Sequence, residues 1–327
     1  MLGEIIAILA VLTFVASNVI FRKTEHEASP TFINFFRTAV GTITFILLAL
    51  LINRLNLVFQ IPWELWFILI LSFVFGQVIG DTAYFSAQKE LGTTIALAIS
   101  MTFPLFVFFL SLIFLDRPFK INLLLSLLLI GVGITIIGKS KANSENTDEI
   151  ENNLKHNTSK KSYSYFFSKN IVKSIVYCLT AAFGWAVGAV MIEVAIIKID
   201  NIIPAKELSS IIGNVIRFPF ALLILGSMVG RENYLKKDQD TFAKQKRSIR
   251  TLGLLLGASI IGTSLGSYLY TESIHLAGSD VVALIASAAP LFALPLTYLI
   301  NKETITKIGF IGVMLTIFGV ILILIEI

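Results

Sequence analysis

Ten apolar runs, each about as long as a membrane span, constrain the fold of this 327-residue chain. A helix of about 20 apolar residues crosses the hydrocarbon core and satisfies its own backbone hydrogen bonds there. The composition agrees, because 14% of the residues are charged against about 25% in soluble domains. We therefore predict an all-α polytopic membrane protein of ten transmembrane helices. The predicted spans are 4–22, 31–52, 63–86, 91–115, 120–138, 171–197, 204–229, 250–273, 278–300 and 305–326.

A polar segment rich in Asn, Ser and Lys divides these ten runs into five and five. It occupies residues 139–170 and lacks the apolar content that a packed element requires. The sequence therefore predicts a first five-helix repeat at 1–138, a polar linker at 139–170 and a second five-helix repeat at 171–327.

The two halves are related by an internal repeat with an offset of 186 residues. Residues 76–138 align with residues 262–324 without a gap and with 12 identities, concentrated on Gly, Pro and Tyr. The matched pairs include Gly76 with Gly262, Gly80 with Gly266, Tyr84 with Tyr270 and Pro104 with Pro290. Five spans per copy invert the second copy in the membrane, an architecture that recurs in secondary transporters and permits alternating access.

Several of these residues also form a recognisable pattern. Gly-Asp-x-x-Tyr-Phe-x-Ala spans residues 80–87, and Gly92 follows shortly after it. Spans four and nine each contain a Pro, and spans five and ten each have a Gly near the end. The chain thereby resembles the EamA-like branch of the drug/metabolite transporter superfamily over nearly its whole length, the linker excepted. The resemblance implies a cell-membrane transporter, similar to relatives that export amino acids, other metabolites or drugs, or exchange sugars.

Asp81 is the first candidate site residue, because an ionisable group within a span needs a partner, a water-filled cavity or a function. On ideal helical spacing Gln77, Asp81, Tyr84 and Gln88 share one polar face. One interpretation is a cavity wall that binds substrate or a coupling proton or ion. The other is a buried structural pair, with Arg37 as the partner.

Two arginines lie within predicted spans, and each follows an asparagine by three residues. These are Asn34 with Arg37 and Asn214 with Arg217. A deep arginine that faces the protein interior can bind a carboxylate or phosphate with two hydrogen bonds. The alternative is an arginine that extends toward the membrane surface or ties helices together.

Further candidates for the cavity carry rings or hydroxyls, and others could act as hinges. The aromatic candidates are Trp185 and Tyr270, which could stack on a ligand or simply pack. The hydroxyl candidates precede prolines in spans four and nine and are Ser100 and Ser287. Packing or hinge positions are Gly76, Gly80, Pro104, Gly262, Gly266 and Pro290, because small residues allow close helix contact and proline interrupts a helix.

Other classes of function find little support in the sequence. Gly262-x-Ser264-x-Gly266 matches a serine hydrolase pattern but lies within a span, which makes an intramembrane hydrolase the weakest alternative. A non-transporting receptor or scaffold is the other alternative. We recognise no nucleotide-binding, cofactor or metal motif, and the positive charges lie in loops rather than in a patch for nucleic acid. The expected partners are a small-molecule substrate, a coupling proton or ion, and membrane lipid.

The orientation follows from the basic residues. Of the 26 Lys and Arg residues, two lie within spans, 19 lie on the side of the linker and five lie on the opposite side. Because basic residues gather on the cytoplasmic side, we expect both termini to be non-cytoplasmic. Taken together, the sequence predicts a secondary transporter that exports small polar or amphipathic metabolites such as amino acids.

Overall fold

The computed structural model describes residues 1–114, 169–203, 208–237, 247–302 and 305–324, with separate positions between 125 and 140. Within these residues every regular element is a helix. The first half contains α1 (Leu2–Arg22), α2 (Pro30–Leu51), a 3₁₀ helix (Leu55–Gln60), α3 (Trp63–Phe73), the first π-segment (Val74–Asp81), α4 (Thr82–Leu91), α5 (Thr93–Ser100) and α6 (Phe103–Phe114). The second half contains α7 (Lys169–Asp200), α8 (Ser209–Lys237), α9 (Ile249–Ser259), the second π-segment (Ile260–Leu265), α10 (Gly266–Ala277), α11 (Ser279–Ala286), α12 (Ala289–Asn301) and α13 (Lys307–Leu324).

Seven helical stretches among these residues are long and apolar enough to cross a membrane. They are Leu2–Arg22, Pro30–Leu51, Trp63–Leu91, Thr93–Leu110, Asn170–Asp200, Ser209–Leu235 and Ile249–Ala277. Two shorter apolar helices, Ala289–Asn301 and Lys307–Gly319, follow them. The predicted all-helical polytopic fold is confirmed at this level, whereas most of the predicted span 120–138 and of the linker 139–170 lies outside the described residues.

The starts of two helices follow from their capping residues. Ser29 precedes α2, and its Oγ accepts a hydrogen bond from the backbone N–H of Phe32 at 3.3 Å. Ser248 precedes α9 and accepts in the same way from Thr251 at 3.2 Å. A serine at this position satisfies an N–H that the first helical turn leaves without a partner.

Two spans change from α-helical to π-helical hydrogen bonding at matching places. The first π-segment begins at Val74 and the second at Ile260, which is the 186-residue offset found in the sequence. A π-turn inserts an extra residue into the helix and is frequent at functional sites. Every residue that follows such a segment is rotated relative to an ideal helix.

Two further backbone features recur at the same offset. Gly92 and Gly278 have φ values of 83° and 85°, a left-handed conformation that glycine adopts without steric cost. The chain can therefore turn from α4 into α5, and from α10 into α11, within a single residue. After eight residues, both α5 and α11 stop, at Ser100 and Ala286.

The predicted spans 91–115 and 278–300 are each interrupted rather than continuous. Each pair of helices is separated by two residues, and Pro104 and Pro290 lie in the first turn of the helix that resumes. Proline is tolerated at that position because the first turn needs no N–H donor there. The sequence located both interruptions correctly but described each span as one kinked helix.

The first helix of each half packs against the other half. α1 packs on α10 and the second π-segment of the other half, while α7 packs on the first π-segment and α4. α2 packs on α8, its counterpart in the repeat. The contacts of α1 with the second half correspond to those of α7 with the first half. An approximate two-fold axis would produce this correspondence.

Close backbone contact at glycines supports one of these crossings. A Cβ added to Gly184 would lie 2.5 Å from the carbonyl oxygen of Phe75, and one added to Gly188 would lie 2.9 Å from that of Ser72. At the equivalent crossing in the other half, Gly262 and Gly266 approach side chains of α1. The glycines therefore let the first half approach the backbone of α7 closely and leave room for the side chains of α1 at the second crossing.

Along the membrane-spanning helices, large apolar side chains lie on the exterior and three ionisable side chains lie in the interior. Leu47 on α2 and Leu223 on α8 are 52% and 71% exposed, whereas Arg37, Asp81 and Arg217 are 5%, 4% and 2% exposed. This distribution suits a bilayer, because lipid tails accept apolar side chains while ionisable groups are retained inside the bundle.

Candidate functional site

A cavity of about 140 Å³ lies where the two halves meet. Its walls come from matching elements of both halves: α1 and α7, α2 and α8, the two π-segments with their neighbours, and the two helix interruptions. The lining includes the sequence-predicted residues Arg37, Gln77, Asp81, Trp185, Arg217 and Tyr270, with Gly76, Gly262 and Gly266. This concentration of predicted polar residues makes the cavity the candidate binding site.

Asp81 joins three helices at the edge of the cavity. Its Oδ2 lies 3.3 Å from Nη1 of Arg37 on α2, and its Oδ1 accepts a hydrogen bond of 2.8 Å from Nε1 of Trp185 on α7. Both carboxylate oxygens are therefore engaged. The structural pair with Arg37 is present, and Asp81 also lines the cavity, while its binding of substrate or a coupling ion stays a prediction.

Arg37 connects the two halves through its remaining contacts. Its Nε donates to Oγ1 of Thr263 on the second π-segment at 2.9 Å. Its Cζ lies 5.7 Å from the ring centroid of Phe21 and 5.4 Å from that of Phe85. A carboxylate, a hydroxyl and two aromatic faces thus surround this guanidinium, which compensates for its burial.

Asn34 acts behind the cavity wall and positions Gln77. The Nδ2 of Asn34 donates to Oγ1 of Thr82 at 2.9 Å and to the backbone oxygen of Gln77 at 2.6 Å. In return, Nε2 of Gln77 donates to Oδ1 of Asn34 at 3.1 Å and to Oγ1 of Thr38 at 2.9 Å. Such a mutual amide pair fixes the orientation of Gln77 at the cavity.

Arg217 occupies the corresponding place in the second half but has a different environment. Its Nε donates to Oδ1 of Asn214 and its Nη2 donates to Oγ1 of Thr271, each at 2.8 Å. Its Cζ lies 4.7 Å above the ring of Phe73. Among the residues that the structure describes, its Nη1 has no hydrogen-bond partner and no carboxylate lies within 4 Å of the guanidinium.

Aromatic rings form a large part of the cavity wall. Phe14 on α1 and Trp185 on α7 meet edge to face, with ring centroids 5.7 Å apart. Their contact joins the two halves beside the cavity, because α1 and α7 belong to different halves. Phe103 and Tyr270 also line the cavity. The wall offers flat apolar surfaces against which a ligand ring could stack.

Six of the predicted cavity residues do not line this cavity. They are Asn34, Tyr84, Gln88, Ser100, Asn214 and Ser287. Two of them make other contacts: the ring of Tyr84 packs against the ring of Trp185, with centroids 5.4 Å apart. Gln88 instead donates to Oε1 of Glu25 at 2.7 Å.

The serine of the hydrolase-like pattern is hydrogen-bonded to another helix. Oγ of Ser264 lies 2.8 Å from Oγ1 of Thr44 on α2. The nearest histidine in sequence, His275, pairs through Nε2 with Asp200 at 2.7 Å. Neither contact forms the nucleophile–base pair of a serine hydrolase.

Sequence reasoning missed several residues that complete the site. Thr263 and Thr271 hold the two arginines from the other side of the bundle, and Phe73 lies below Arg217. No periodic or charged pattern distinguishes these residues in the sequence. Ser267 could have been found, because it is the repeat counterpart of Asp81 and it also lines the cavity.

Comparison with known proteins agrees with this architecture. The model of the EamA-like transporter family matches residues 1–139 and 172–325. The chain belongs to the EamA-like transporter family. It is therefore a polytopic membrane transporter.

Two further matches cover nearly the full length of the chain. An uncharacterised transporter of Archaeoglobus fulgidus is 25% identical over 324 residues, which cover 99% of this chain and 98% of that protein. One solved protein crystal structure covers 99% of this chain and 96% of its own, with a TM-score of 0.59 and 13% identity. At that identity the second match shows the fold alone.

Proposed function

We propose that the chain is a secondary transporter that exports small metabolites, such as amino acids or related polar and amphipathic compounds, by alternating access. The moving units would be two inverted five-helix repeats, residues 1–138 and 171–327, joined by the linker 139–170. Membership in a transporter family supports movement of a small molecule, while the cargo, the direction and the mechanism belong to the proposal.

The observation that carries the proposal is the cavity between the halves, with matching walls from each. Three backbone features repeat at the same offset: the π-segments, the left-handed glycines and the interrupted helices. The exchanged pairing of α1 with α10 and of α7 with α4 is also what an approximate two-fold relation produces. Two related halves around a central site could adopt two conformations, one open to each side of the membrane.

The proposal assigns roles to the charged residues of the site. Asp81 and Arg37 would hold the halves together and respond to a coupling proton or ion, while Arg217 would contact the cargo. Basic residues on the linker side would place the linker in the cytoplasm and both termini outside the cell membrane.

Cysteine accessibility distinguishes this function from a receptor or scaffold. Ser72 and Ser267 line the cavity from opposite halves, and each would be replaced by cysteine in a Cys178→Ala background. In vesicles of known sidedness, a membrane-impermeant thiol reagent should label both positions from either side. A cysteine at Ala96, which is fully buried away from the cavity, should remain unlabelled.

The outcome is decisive in both directions. Labelling from both sides at either cavity position requires two conformations of opposite access. Labelling from one side alone at both positions would contradict alternating access and favour the receptor.

A further inference from the structure

The two Asn-x-x-Arg units of the repeat occupy equivalent places but differ in charge balance. Arg37 faces Asp81 at 3.3 Å. Arg217 has no carboxylate within 4 Å among the described residues. The residue that corresponds to Asp81 in the second half is Ser267, which lines the cavity. The second unit thus retains the cation and lacks the anion.

One donor of Arg217, a residue that lines the cavity, is left without a hydrogen-bond partner among the described residues. Its Nε and Nη2 are occupied by Asn214 and Thr271, whereas Nη1 has no partner in the part of the chain described. The residue is 2% exposed and lines the cavity. A buried guanidinium with an open donor is unfavourable until an anion accepts from it.

We propose, on the basis of the transport function above, that the cargo is a small monocarboxylate with an apolar body rather than an amino acid, and that its carboxylate binds Nη1 of Arg217. The ligand thereby supplies in the second half the ion pair that Asp81 supplies in the first. One uncompensated cation in the cavity matches one negative charge on the ligand.

The rest of the cavity defines the body of the ligand. Phe14, Phe73, Phe103, Trp185 and Tyr270 contribute aromatic surface, and the volume of about 140 Å³ suits a single ring. A cavity of about 150 Å³ holds benzene in another protein. The site therefore fits a body of about the size of one aromatic ring.

Among the described lining residues Asp81 is the one carboxylate, so these residues offer no second anion for an ammonium group. Both oxygens of Asp81 are engaged, by Arg37 and by Trp185. A zwitterion would satisfy Arg217 but leave its ammonium group without a charged partner among the described lining residues. A simple carboxylate should therefore bind more tightly than the corresponding amino acid.

The test uses the full-length protein in detergent or nanodiscs with radiolabelled benzoate as the probe. Benzamide, which has the same shape without the charge, should compete at least about tenfold more weakly than unlabelled benzoate, which corresponds to about 1.4 kcal/mol. 3-Phenylpropanoate should compete more strongly than phenylalanine. Equal competition by benzamide, stronger competition by phenylalanine, or no benzoate binding at all overturns the inference.

Substitution of Ser267 tests the missing anion directly. Ser267→Asp places a carboxylate where the first half has Asp81, so it should pair with Arg217 and weaken benzoate binding at least about tenfold. Ser267→Asn adds nearly the same volume without charge and should weaken binding much less. Equal affinities of the two variants for benzoate would show that the site does not discriminate by charge.

Substitution of Arg217 gives the complementary result. Arg217→Gln should abolish the preference for benzoate over benzamide. If this variant does not fold, Ser267→Asp keeps the inference open to refutation, because it retains the arginine and its melting profile reports an intact fold. Two-sided cysteine labelling tests transport separately, so loss of the carboxylate preference would leave that proposal standing.

Discussion

Replacing Asp81 by asparagine should destabilise the protein strongly, because it removes one charge of a buried pair and leaves the other. The new side chain has nearly the same shape as the aspartate, so its Oδ1 can still accept from Trp185. Arg37, which is 5% exposed, would retain only Thr263 and two aromatic rings. Removing one partner of a buried pair costs about 3–5 kcal/mol.

The size of the effect can be read from thermal unfolding of the purified protein. At about 2 °C per kcal/mol for a chain of this size, the melting temperature should fall by roughly 6–10 °C. Removing both charges with Arg37→Gln and Asp81→Asn should recover most of the loss, since no unpaired buried charge remains. Glu90→Gln, at an exposed position, serves as the control for loss of a carboxylate and should change little.

The double-mutant cycle tests whether loss of the ion pair causes the destabilisation. If the two single losses simply add in the double variant, Arg37 and Asp81 do not interact in the folded protein. An Asp81→Asn variant as stable as Glu90→Gln would likewise refute the reasoning.

Two further predictions concern packing and pH. Gly184→Ala should lower the free energy of unfolding by about 1–3 kcal/mol, because its Cβ would meet the Phe75 carbonyl oxygen at 2.5 Å. Gly253→Ala is the control, since its Cβ would have nothing within 4 Å. In thermal unfolding it should be neutral or stabilising by about 0.5–1 kcal/mol. The backbone N–H of Ser248 donates to Glu27 at 2.7 Å and lowers the pKa of that carboxyl below its usual value. The stability difference between wild type and Glu27→Gln should therefore be present near neutral pH and disappear as the pH falls through this lowered pKa, while a difference that persists at lower pH would contradict the assignment.

The sequence predicts the class of fold because its strongest signals are local. Runs of apolar residues reveal helices whatever they pack against, and glycines and prolines recur at a fixed offset because they mark backbone features. The structure places left-handed turns at Gly92 and Gly278, and helix interruptions before Pro104 and Pro290. These features need no knowledge of tertiary contacts.

The site was only partly predictable because its assembly depends on two non-local facts. The first is the packing of one helix, whose ideal spacing puts four polar residues on a single face. Gln77 and Asp81 line the cavity, whereas Tyr84 packs against Trp185 and Gln88 bonds to Glu25. The second is the identity of the cross-half partners. Thr263 is an ordinary hydroxyl in the sequence, and its contact with Arg37 arises only when the second π-segment lies against α2.

The difference in charge balance around the two arginines links the stability of the molecule to its proposed function. A pair that is complete within the protein, as at Arg37 and Asp81, holds helices together and has little need of a ligand. Arg217 has no anion beside it among the described residues. In the proposal, this raises the free energy of the empty cavity, and binding of an anion lowers that free energy. In the proposed function, one copy of the repeat serves the structure while the other recognises cargo, and the difference in charge balance lies at one pair of matched positions: aspartate at 81 and serine at 267.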